Sequence, residues 1–394
     1  MREPRAIVEA FHQAQVNGNA TALATVVAVK GSAYRRPGAR MLITEAGRTT
    51  GTISGGCLER DVILRAQRAI ERRETSLVAY DSTDEDDIDF GVGLGCGGVI
   101  RILIEPLPRP NEPSHLAPLD GLLRRREAGV LATVWQVSSP ELAKPGSRLL
   151  LGGDGGLWND IANPQLAARI GEDARGLLRT RRSAARTCEL PAGHAEVLLE
   201  VLEPPLPFVV FGGGHDAVPL VQLAFSLGWH VTVVDGRPAA ASRTRFPRAD
   251  AVVLCRPEQA RDLVRLSSDT VAVVMTHNYR NDLRLLELLL PSPVRYLGLL
   301  GPKARSERLL QDLEDAGLNV TLAQRSRLHA PIGLDVGADN SEEIAVAMVA
   351  EIMAALAGRT GAPLKERRTP IHEHARSDQI PPAQTLAVAE CGLS

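Results

Sequence analysis

The fold class of the C-terminal half is decided by one stretch, FVVFGGGHDAVPLVQLAFSLGWHVTVVD, which runs from Phe208 to Asp235. An apolar run is followed by a glycine turn, a segment of helical spacing closed by Gly228, and a second apolar run. This order predicts a strand, a helix and a parallel second strand of Rossmann type. Gly212 permits the tight turn, and Gly214 leaves the helix amides open to a phosphate.

A nucleotide-binding site is the functional interpretation of this stretch, with Gly212, Gly214 and Asp235 as contacts. Asp235 ends the second strand, where a carboxylate accepts from ribose hydroxyls and favours NAD over NADP. Arg237 weakens that preference. Asp216 falls in the first helical turn, where its carboxylate would repel a phosphate bound at the helix N-terminus. Either the phosphate is displaced, or the site is empty and the glycines serve only packing.

Alternating strands and helices continue to residue 300, which predicts a parallel sheet with right-handed crossovers. The strands are expected at 208–211, 230–235, 251–254, 271–275 and 294–300. A last helix is expected at Ser341–Ala357, after an Asn340 cap. With the proline-rich linker at 203–207, the sequence predicts a Rossmann-like domain at 204–362 and a disordered tail at 363–394.

The N-terminal part contains an internal repeat. Leu-Ala-Thr-Val begins at Leu23 and again at Leu131, and each is followed at the same spacing by Pro-Gly, at Pro37 and Pro145. Both segments end in an apolar strand and a proline exit. We therefore expect an αβ domain at 1–203 with an internal duplication: copy one at about 20–108 and copy two at about 128–206.

Composition excludes several classes of protein. The 394 residues include 45 basic and 47 acidic side chains, so no charge excess favours nucleic acid. No signal peptide or membrane span is recognisable, and we expect a cytoplasmic protein. Five widely spaced cysteines, without a CxxC pattern, make a disulfide framework or a common structural zinc site improbable.

Two glycine–cysteine segments lie in copy one and have no counterpart in copy two. The first is Gly51–Glu59, in which Gly55, Gly56 and Cys57 precede a helix expected at Leu58–Arg73. Consecutive glycines and a helix N-terminus favour an anion, and a cysteine at position 57 is expected there to have a lowered thiol pKa. A glycine turn with a small buried cysteine is the equal alternative.

The second segment, Gly91–Gly98, has five glycines in addition to Cys96. This composition favours close approach of the backbone to a ligand, with the thiol of Cys96 at the centre. Cys96 is a candidate nucleophile, sulfur carrier or ligand of a soft metal, and a free core cysteine is the alternative.

His277 is the remaining candidate catalytic residue. Thr276-His277-Asn278 follows a strand at the edge where open α/β sheets bind ligands. His329 lies in an apolar loop that we expect beside the same crevice, and a hydrogen-bonded packing role fits it slightly better.

These motifs together resemble the XdhC/CoxI family, the accessory proteins of xanthine dehydrogenase and related molybdenum hydroxylases. The resemblance runs from about Ile7 to His372. It rests on blocks in the family order: Gly31-Ser32, Arg36–Gly38 with Met41, Gly55–Glu59, Gly95–Gly98 with Glu105-Pro106, Gly212–Leu220, Val231–Pro238, Met275–Asn278, Tyr296–Arg305, His329–Gly337 and Glu343–Ala345.

The resemblance implies a chaperone that binds the molybdenum cofactor, supports its sulfuration by a cysteine desulfurase and delivers it to an apo-hydroxylase. It makes Cys96 the best candidate for contact with metal or sulfur and Cys57 the second. Gly55, Gly56, Gly97 and Gly98 would cradle the cofactor. A homodimer is a further expectation.

An NAD-dependent oxidoreductase is the alternative function, with His277 as acid or base. It explains the glycine turn and Asp235 but leaves both glycine–cysteine segments unused. A third interpretation makes the Rossmann half a redox or nucleotide sensor that controls cofactor release.

Overall fold

Two compact units form the chain in a computed structural model that describes residues 2–31, 33–56, 58–81, 98–109 and 112–368. The N-terminal unit comprises Glu3–Glu203 and the C-terminal unit Pro204–Glu366. The division coincides with Pro204 and Pro205, which have no amide hydrogen to donate to a strand ladder. Among the described residues, no helix combines the length and apolarity needed to cross a bilayer.

The N-terminal unit contains ten strands and four helices in its described part. Its first half contains α1 (Arg2–Val16), β1 (Thr21–Gly31), β2 (Arg40–Thr44), β3 (Thr49–Gly51), α2 (Glu59–Arg72), β4 (Ser76–Asp81) and β5 (Gly98–Pro106). Its second half contains α3 (Leu116–Arg125), β6 (Gly129–Val137), β7 (Arg148–Gly152), β8 (Leu157–Asn159), α4 (Pro164–Thr180), β9 (Ala184–Leu190) and β10 (Gly193–Leu202).

The two halves have the same topology. Their sheets follow the orders β3-β2-β1-β5-β4 and β8-β7-β6-β10-β9, and their strand pairs are antiparallel. Each central strand has a bulge at the same place: Val27 is the extra residue in β1 and Trp135 in β6. A shared irregularity of this kind is a property of the fold. The internal duplication is therefore visible in register as well as in sequence.

Each sheet buries both of its faces. In β1, Ala22, Ala24 and Val26 pack with the buried side of α2, and α4 covers the equivalent face of the second sheet. The opposite faces pack on each other through a cluster that contains Val27, Leu103, Trp135 and Leu198. Because strand side chains alternate between faces, one strand serves both cores. The layers run helix, sheet, sheet, helix.

Two buried ion pairs cross between the sheets. The guanidinium of Arg40 in copy one donates to Glu200 in copy two, with Nη1 at 3.0 Å from Oε1. Arg148 in copy two donates to Glu105 in copy one, with Nη1 at 2.8 Å from Oε2. The pairs are reciprocal because each copy supplies one arginine and one glutamate. His115 is buried beside them, and burial together with Arg148 and Arg40 holds its pKa well below the ordinary value.

The C-terminal unit is a parallel sheet with helices on both faces. Its elements are β11 (Pro207–Phe211), α5 (Ala217–Ser226), β12 (His230–Asp235), β13 (Ala251–Leu254), α6 (Ala260–Leu263), β14 (Val271–Val274), α7 (Tyr279–Leu289), β15 (Tyr296–Leu299), α8 (Lys303–Asp315), α9 (Leu322–Ser326), β16 (Leu328–His329) and α10 (Ser341–Leu356), with short 3₁₀ turns at Pro257–Gln259 and Leu364–Glu366.

The strand order is β13-β12-β11-β14-β15-β16. This is the 3-2-1-4-5-6 order of dinucleotide-binding folds, in which the chain reverses direction across the sheet between the first and fourth strands. The fold class expected from the sequence is confirmed. Asn340 caps α10 as expected, accepting from the amide of Glu343 at 2.9 Å.

One local expectation differs from the structure. Leu328 and His329, expected in a loop, form the short edge strand β16, and two residues are too few to show a periodic pattern. In the tail expected from Pro363, Leu364–Glu366 forms a 3₁₀ turn and the residues after 368 lie outside the described part, so the expected disorder stays a prediction.

Candidate functional site

The first candidate site is the loop between β3 and α2. Gly55 and Gly56 are both exposed there, and Gly56 has a φ of +114°, which strongly favours glycine. A Cβ built on Gly56 would meet open space, and one on Gly55 would lie 3.7 Å from the ring of Tyr34. The loop therefore presents bare backbone beside an aromatic ring that is 71% exposed.

Glu59 shapes this loop. Its Oε1 accepts from the Ser54 amide and the Thr52 hydroxyl, both at 2.9 Å, and its Oε2 accepts from the Ser54 hydroxyl. The Ser54 hydroxyl oxygen accepts in turn from the amides of Gly56 and Leu58 at 3.2 and 3.3 Å. Burial raises the pKa of Glu59, but the bonds from Ser54 and Thr52 outweigh it and hold the pKa below its ordinary value.

The beginnings of α2 and α4 are chemically different. Leu58, before α2, offers no side-chain cap, whereas Asn163, before α4, accepts from the Leu166 amide at 3.0 Å and is followed by Pro164. Asparagine at the cap and proline at the first position satisfy a helix start without a ligand. The start of α2 relies on the Glu59–Ser54 network and leaves the glycines exposed.

Gly98, the last residue of the second glycine segment, lies near the same region. It is buried at the start of β5 and pairs with Gly31 at the end of β1. Tyr34, three residues after Gly31, lies beside Gly55. The end of β1 therefore links Gly98 to the Gly55–Gly56 loop. Cys57, Cys96 and Gly97 lie outside the described residues, so their predicted roles stay predictions.

Sequence reasoning missed Tyr34 and Glu59 as site-shaping residues. Glu59 was visible as the end of the glycine–cysteine motif, but its backward turn onto Ser54 depends on the local fold. Tyr34 had one available signal, which is its position between two glycine motifs in a chain with only 3% aromatic residues.

The second candidate site is the carboxyl edge of the C-terminal sheet. Gly212 has a φ of +118°, and a Cβ there would collide with the carbonyl of Met275, so the loops after β11 and β14 touch. Across this contact, Nε2 of His277 lies 2.5 Å from Oδ2 of Asp216. The structure thus joins two residues that the sequence placed in separate motifs.

His277 is held in a conformation that is rare for its residue type. Its φ is +56°, and a left-handed backbone costs a non-glycine residue about 1–2 kcal/mol. Thr276 anchors the turn by donating to the buried Asp282 at 2.5 Å, and Arg305 donates to the same carboxylate at 2.6 Å. Burial raises the pKa of Asp282 despite these bonds.

Asp235 is fully engaged by its neighbours. Its carboxylate accepts from the Gly213 amide at 2.7 Å and from Arg237 through the amide, Nε and Nη2 at 2.8, 3.0 and 2.8 Å. Burial raises the pKa of Asp235, but the bonds from Arg237 and Gly213 outweigh it and lower the pKa. The expected ribose contact would have to displace Arg237.

His329 has a packing environment. Its Nδ1 lies 2.6 Å from Glu351, and its ring stacks on Tyr296 with centroids 4.2 Å apart. Glu351 also accepts from the Tyr296 hydroxyl and from the Gly333 amide. These contacts fix the loop after β16 against α10.

Two protein-family models match this chain, one in each of its two units. The model of the XdhC and CoxI family matches residues 14–81 and again 122–189, once in each copy. The model of the XdhC Rossmann domain matches residues 208–352. The chain belongs to the XdhC and CoxI family. The resemblance inferred from the motifs is confirmed.

Relatives in this family cover most of the chain. A Bacillus subtilis protein named as a probable xanthine dehydrogenase subunit is 33% identical over 84% of this chain and 92% of its own length. The molybdenum cofactor insertion chaperone PaoD of Escherichia coli is 22% identical over 88% and 87%. A crystal structure described as a xanthine dehydrogenase from Bacillus halodurans is 27% identical, with a TM-score of 0.72 over 91% of this chain and 98% of that one.

Proposed function

We propose that this protein binds the molybdenum cofactor in copy one and delivers it to the apoenzyme of a xanthine dehydrogenase-type hydroxylase. The observation that carries the proposal is the contrast between two equivalent helix starts. The start of α4 is closed by Asn163 and Pro164, and that of α2 is open at Gly55 and Gly56. The names of the relatives, which include a cofactor insertion chaperone, support the same role.

The chemistry of the loop fits a pterin. The pterin of the molybdenum cofactor has both donor and acceptor groups on its ring system, and the cofactor's side chain bears a phosphate. The exposed backbone of Gly55 and Gly56 lets a ligand approach without steric hindrance, and Tyr34 offers a flat apolar surface. Glu59 keeps the loop in this shape through Ser54.

The thiols complete the proposed site. A molybdenum centre favours soft sulfur ligands, which cysteine thiolates supply. We assign contact with metal or sulfur first to Cys96 and second to Cys57, with Gly97 and Gly98 as part of the cradle. The other cysteines within the described residues are buried, and burial raises the pKa of Cys188 to about 11 and also that of Cys255. Those two thiols are poor nucleophiles.

Sulfuration requires a second protein. In this proposal a cysteine desulfurase supplies the sulfur that replaces an oxygen of the molybdenum centre while the cofactor is held in the loop. The loop must therefore be open to a large partner, in agreement with the exposure of Gly55, Gly56 and Tyr34.

Helix α2 supplies the docking surface for the recipient apoenzyme in this proposal. Arg60, Leu64, Arg68 and Arg72 are exposed along one side of the helix that leaves the glycine loop. The two helices can be aligned by their buried residues, with Val62 at Leu166 and Ala66 at Ile170. In this alignment, the four exposed positions of α2 correspond in α4 to Pro164, Ala168, Glu172 and Gly176. Only the copy with the open loop presents three cations around an apolar side chain.

The test is anaerobic co-expression with a cofactor source, followed by measurement of molybdenum and of the oxidised pterin in the purified protein. We expect both near one per chain. A folded protein without either would contradict the proposal. Cys96→Ser and Cys57→Ser are expected to lose sulfuration of the client, and retention of sulfuration by both variants would remove the thiols from the mechanism.

The duplication provides the matched control. Asn163→Ala alters the equivalent helix start in copy two, where no ligand is proposed. It is expected to leave molybdenum and pterin content unchanged. An equal loss of cofactor in this variant would mean that general destabilisation, and not the copy-one loop, controls retention.

A further inference from the structure

A pocket of about 100 Å³ opens at the carboxyl edge of the C-terminal sheet. It lies beside the crossover between β11 and β14, where sheets of this topology bind ligands. Its lining combines the apolar side chains of Phe211, Val234 and Leu285 with the polar side chains of Thr276, Asn278 and Asn281. The paired Asp235 and Arg237 also line it. Apolar walls with a few polar groups are typical of sites for small organic ligands.

The place where a dinucleotide would put its phosphates is filled by the protein itself. Asp216 immediately precedes α5, and its Oδ1 would lie 2.6 Å from a Cβ on Gly214, so the carboxylate covers that glycine. His277 holds Asp216 from the opposite loop at 2.5 Å. The Asp216 carboxylate lies at the N-terminus of α5 without a cap bond to the helix, and its charge repels a second anion there.

The place where a ribose would bind is also occupied. Asp235 accepts four hydrogen bonds, three from Arg237 and one from Gly213, which uses the acceptor capacity of a carboxylate. A ligand that depends on ribose contacts would have to break this arrangement. The pocket beside it remains open, and the side-chain amide of Asn281 can pair with a ring edge.

We infer that the C-terminal unit binds an uncharged, unphosphorylated nitrogen heterocycle of purine size, and that Asp216 excludes dinucleotides and nucleoside diphosphates. Asp216 is thus a specificity-determining residue, with His277 as the residue that positions it. This inference concerns a ligand and a unit that the proposed cofactor delivery does not involve.

The test is calorimetric titration of the full chain with hypoxanthine, adenine, ADP and NAD. In the wild type we expect a free base to bind at least about tenfold more tightly than ADP or NAD. Asp216→Ala is expected to tighten ADP and NAD binding by about tenfold and to leave base binding within about twofold. Asp216→Asn, which keeps the shape and removes the charge, is expected to follow Asp216→Ala.

A second variant tests the pocket without touching the phosphate loop. Asn281 is exposed at the pocket mouth, so Asn281→Phe fills the pocket from the surface and is compatible with folding. Base binding is expected to fall by more than about tenfold, with an unchanged unfolding midpoint. Normal base binding by Asn281→Phe would overturn the inference.

Two other results would also overturn it: wild-type affinity for ADP or NAD equal to that for a base, or the absence of base binding at millimolar concentration. Molybdenum and pterin are measured in the same preparations. Cofactor retention without base binding would reject this inference alone, and base binding without cofactor would reject only the proposed function.

Discussion

The two copies of the N-terminal unit share a framework and differ at their surfaces. Both have five strands in the same order, one covering helix, a bulge at Val27 or Trp135, and an Arg–Glu pair that crosses to the other copy. They diverge where α2 and α4 begin and along the exposed sides of these helices. The features that both copies share are those that the fold requires. The features that differ point to a role of one copy alone.

Copy two therefore shows what the unit needs for stability alone. Its helix has an asparagine cap, a proline at the first position and a mixed exposed side. Copy one has neither this cap nor this proline at the start of α2. Exposed glycines precede the helix, and arginines lie along its exposed side. Because natural proteins depart from local stability rules chiefly at functional sites, the departures in copy one support the site that we propose there.

The largest expected effect is on the crossed ion pairs. Arg148→Met leaves Glu105 buried without its partner, and we expect a loss of about 3–5 kcal/mol in unfolding free energy, measured by urea denaturation. Arg40→Met is expected to give a similar loss at Glu200. The double variant Arg148→Met, Glu105→Leu should recover most of the stability. A double variant as unstable as the single one would mean that the charges themselves are required.

A smaller effect is expected at the two glycines beside these pairs. Gly38 and Gly146 have φ values of +98° and +99°. A Cβ on Gly38 would overlap the Glu200 carboxylate, and one on Gly146 would lie 3.0 Å from Glu105. Alanine should cost about 2 kcal/mol at Gly146 and more at Gly38, because strain adds to the clash. Equal losses of unfolding free energy at the two positions, measured in urea titrations, would show that backbone strain alone causes the loss and that the clash does not contribute.

His115 gives the unit a dependence on pH. Its pKa is lowered by burial and by Arg148 and Arg40, so the unfolded chain takes up its proton first as the pH falls. Stability is full above the unfolded pKa and declines below about 6.5, by up to about 1.4 kcal/mol per pH unit. His115→Leu should flatten this decline between pH 7 and 5. An unchanged slope would assign the decline to other groups.

A functional difference is expected between the two helix starts. Glu59→Ala removes the acceptor that shapes the glycine loop, and cofactor content after dialysis should fall by about tenfold, equivalent to about 1.4 kcal/mol. Asn163→Ala should cost about 1 kcal/mol of stability and no cofactor. Loss of cofactor from both variants, or from neither, would contradict the division of roles.

The smallest expected effect concerns the exposed sides of the helices. Arg60→Glu with Arg68→Glu should weaken binding to the purified apo-hydroxylase by about threefold to fivefold, less at high salt, because rim charges act mainly on association. Arg175→Glu with Arg179→Glu, on α4, makes the same change of charge at other positions and should bind normally. Equal effects in surface plasmon resonance would mean that net charge, and not α2, is recognised.

Much of the fold was predictable because its signals are local. The Phe208–Asp235 stretch contains its own strand periodicity, glycine turn and helix spacing, and the repeat is visible in matching Leu-Ala-Thr-Val and Pro-Gly segments. The edge strand β16 was missed because two residues cannot display alternation. The Asn340 cap was found because its acceptor lies three residues from the amide it serves.

Contacts between distant residues were not predictable. Asp216 and His277 were each flagged for separate reasons, but their approach depends on β11 and β14 lying side by side. The engagement of Asp235 by Arg237 depends on side-chain conformation. Arg40 and Glu200 could not be paired from sequence, because the packing of one sheet on the other decides which charges are buried together.

The crossed Arg–Glu pairs make each copy in the N-terminal unit depend on the other copy for its folded state. Neither copy can bury its own arginine without the other's glutamate, so a fragment that ends near residue 110 would be left with two orphaned charges on an apolar face. Because both copies lie in one chain, they are present in equal amounts and at a high local concentration. Contacts with copy two thus contribute to the stability of copy one. The start of α2 can therefore do without a side-chain cap.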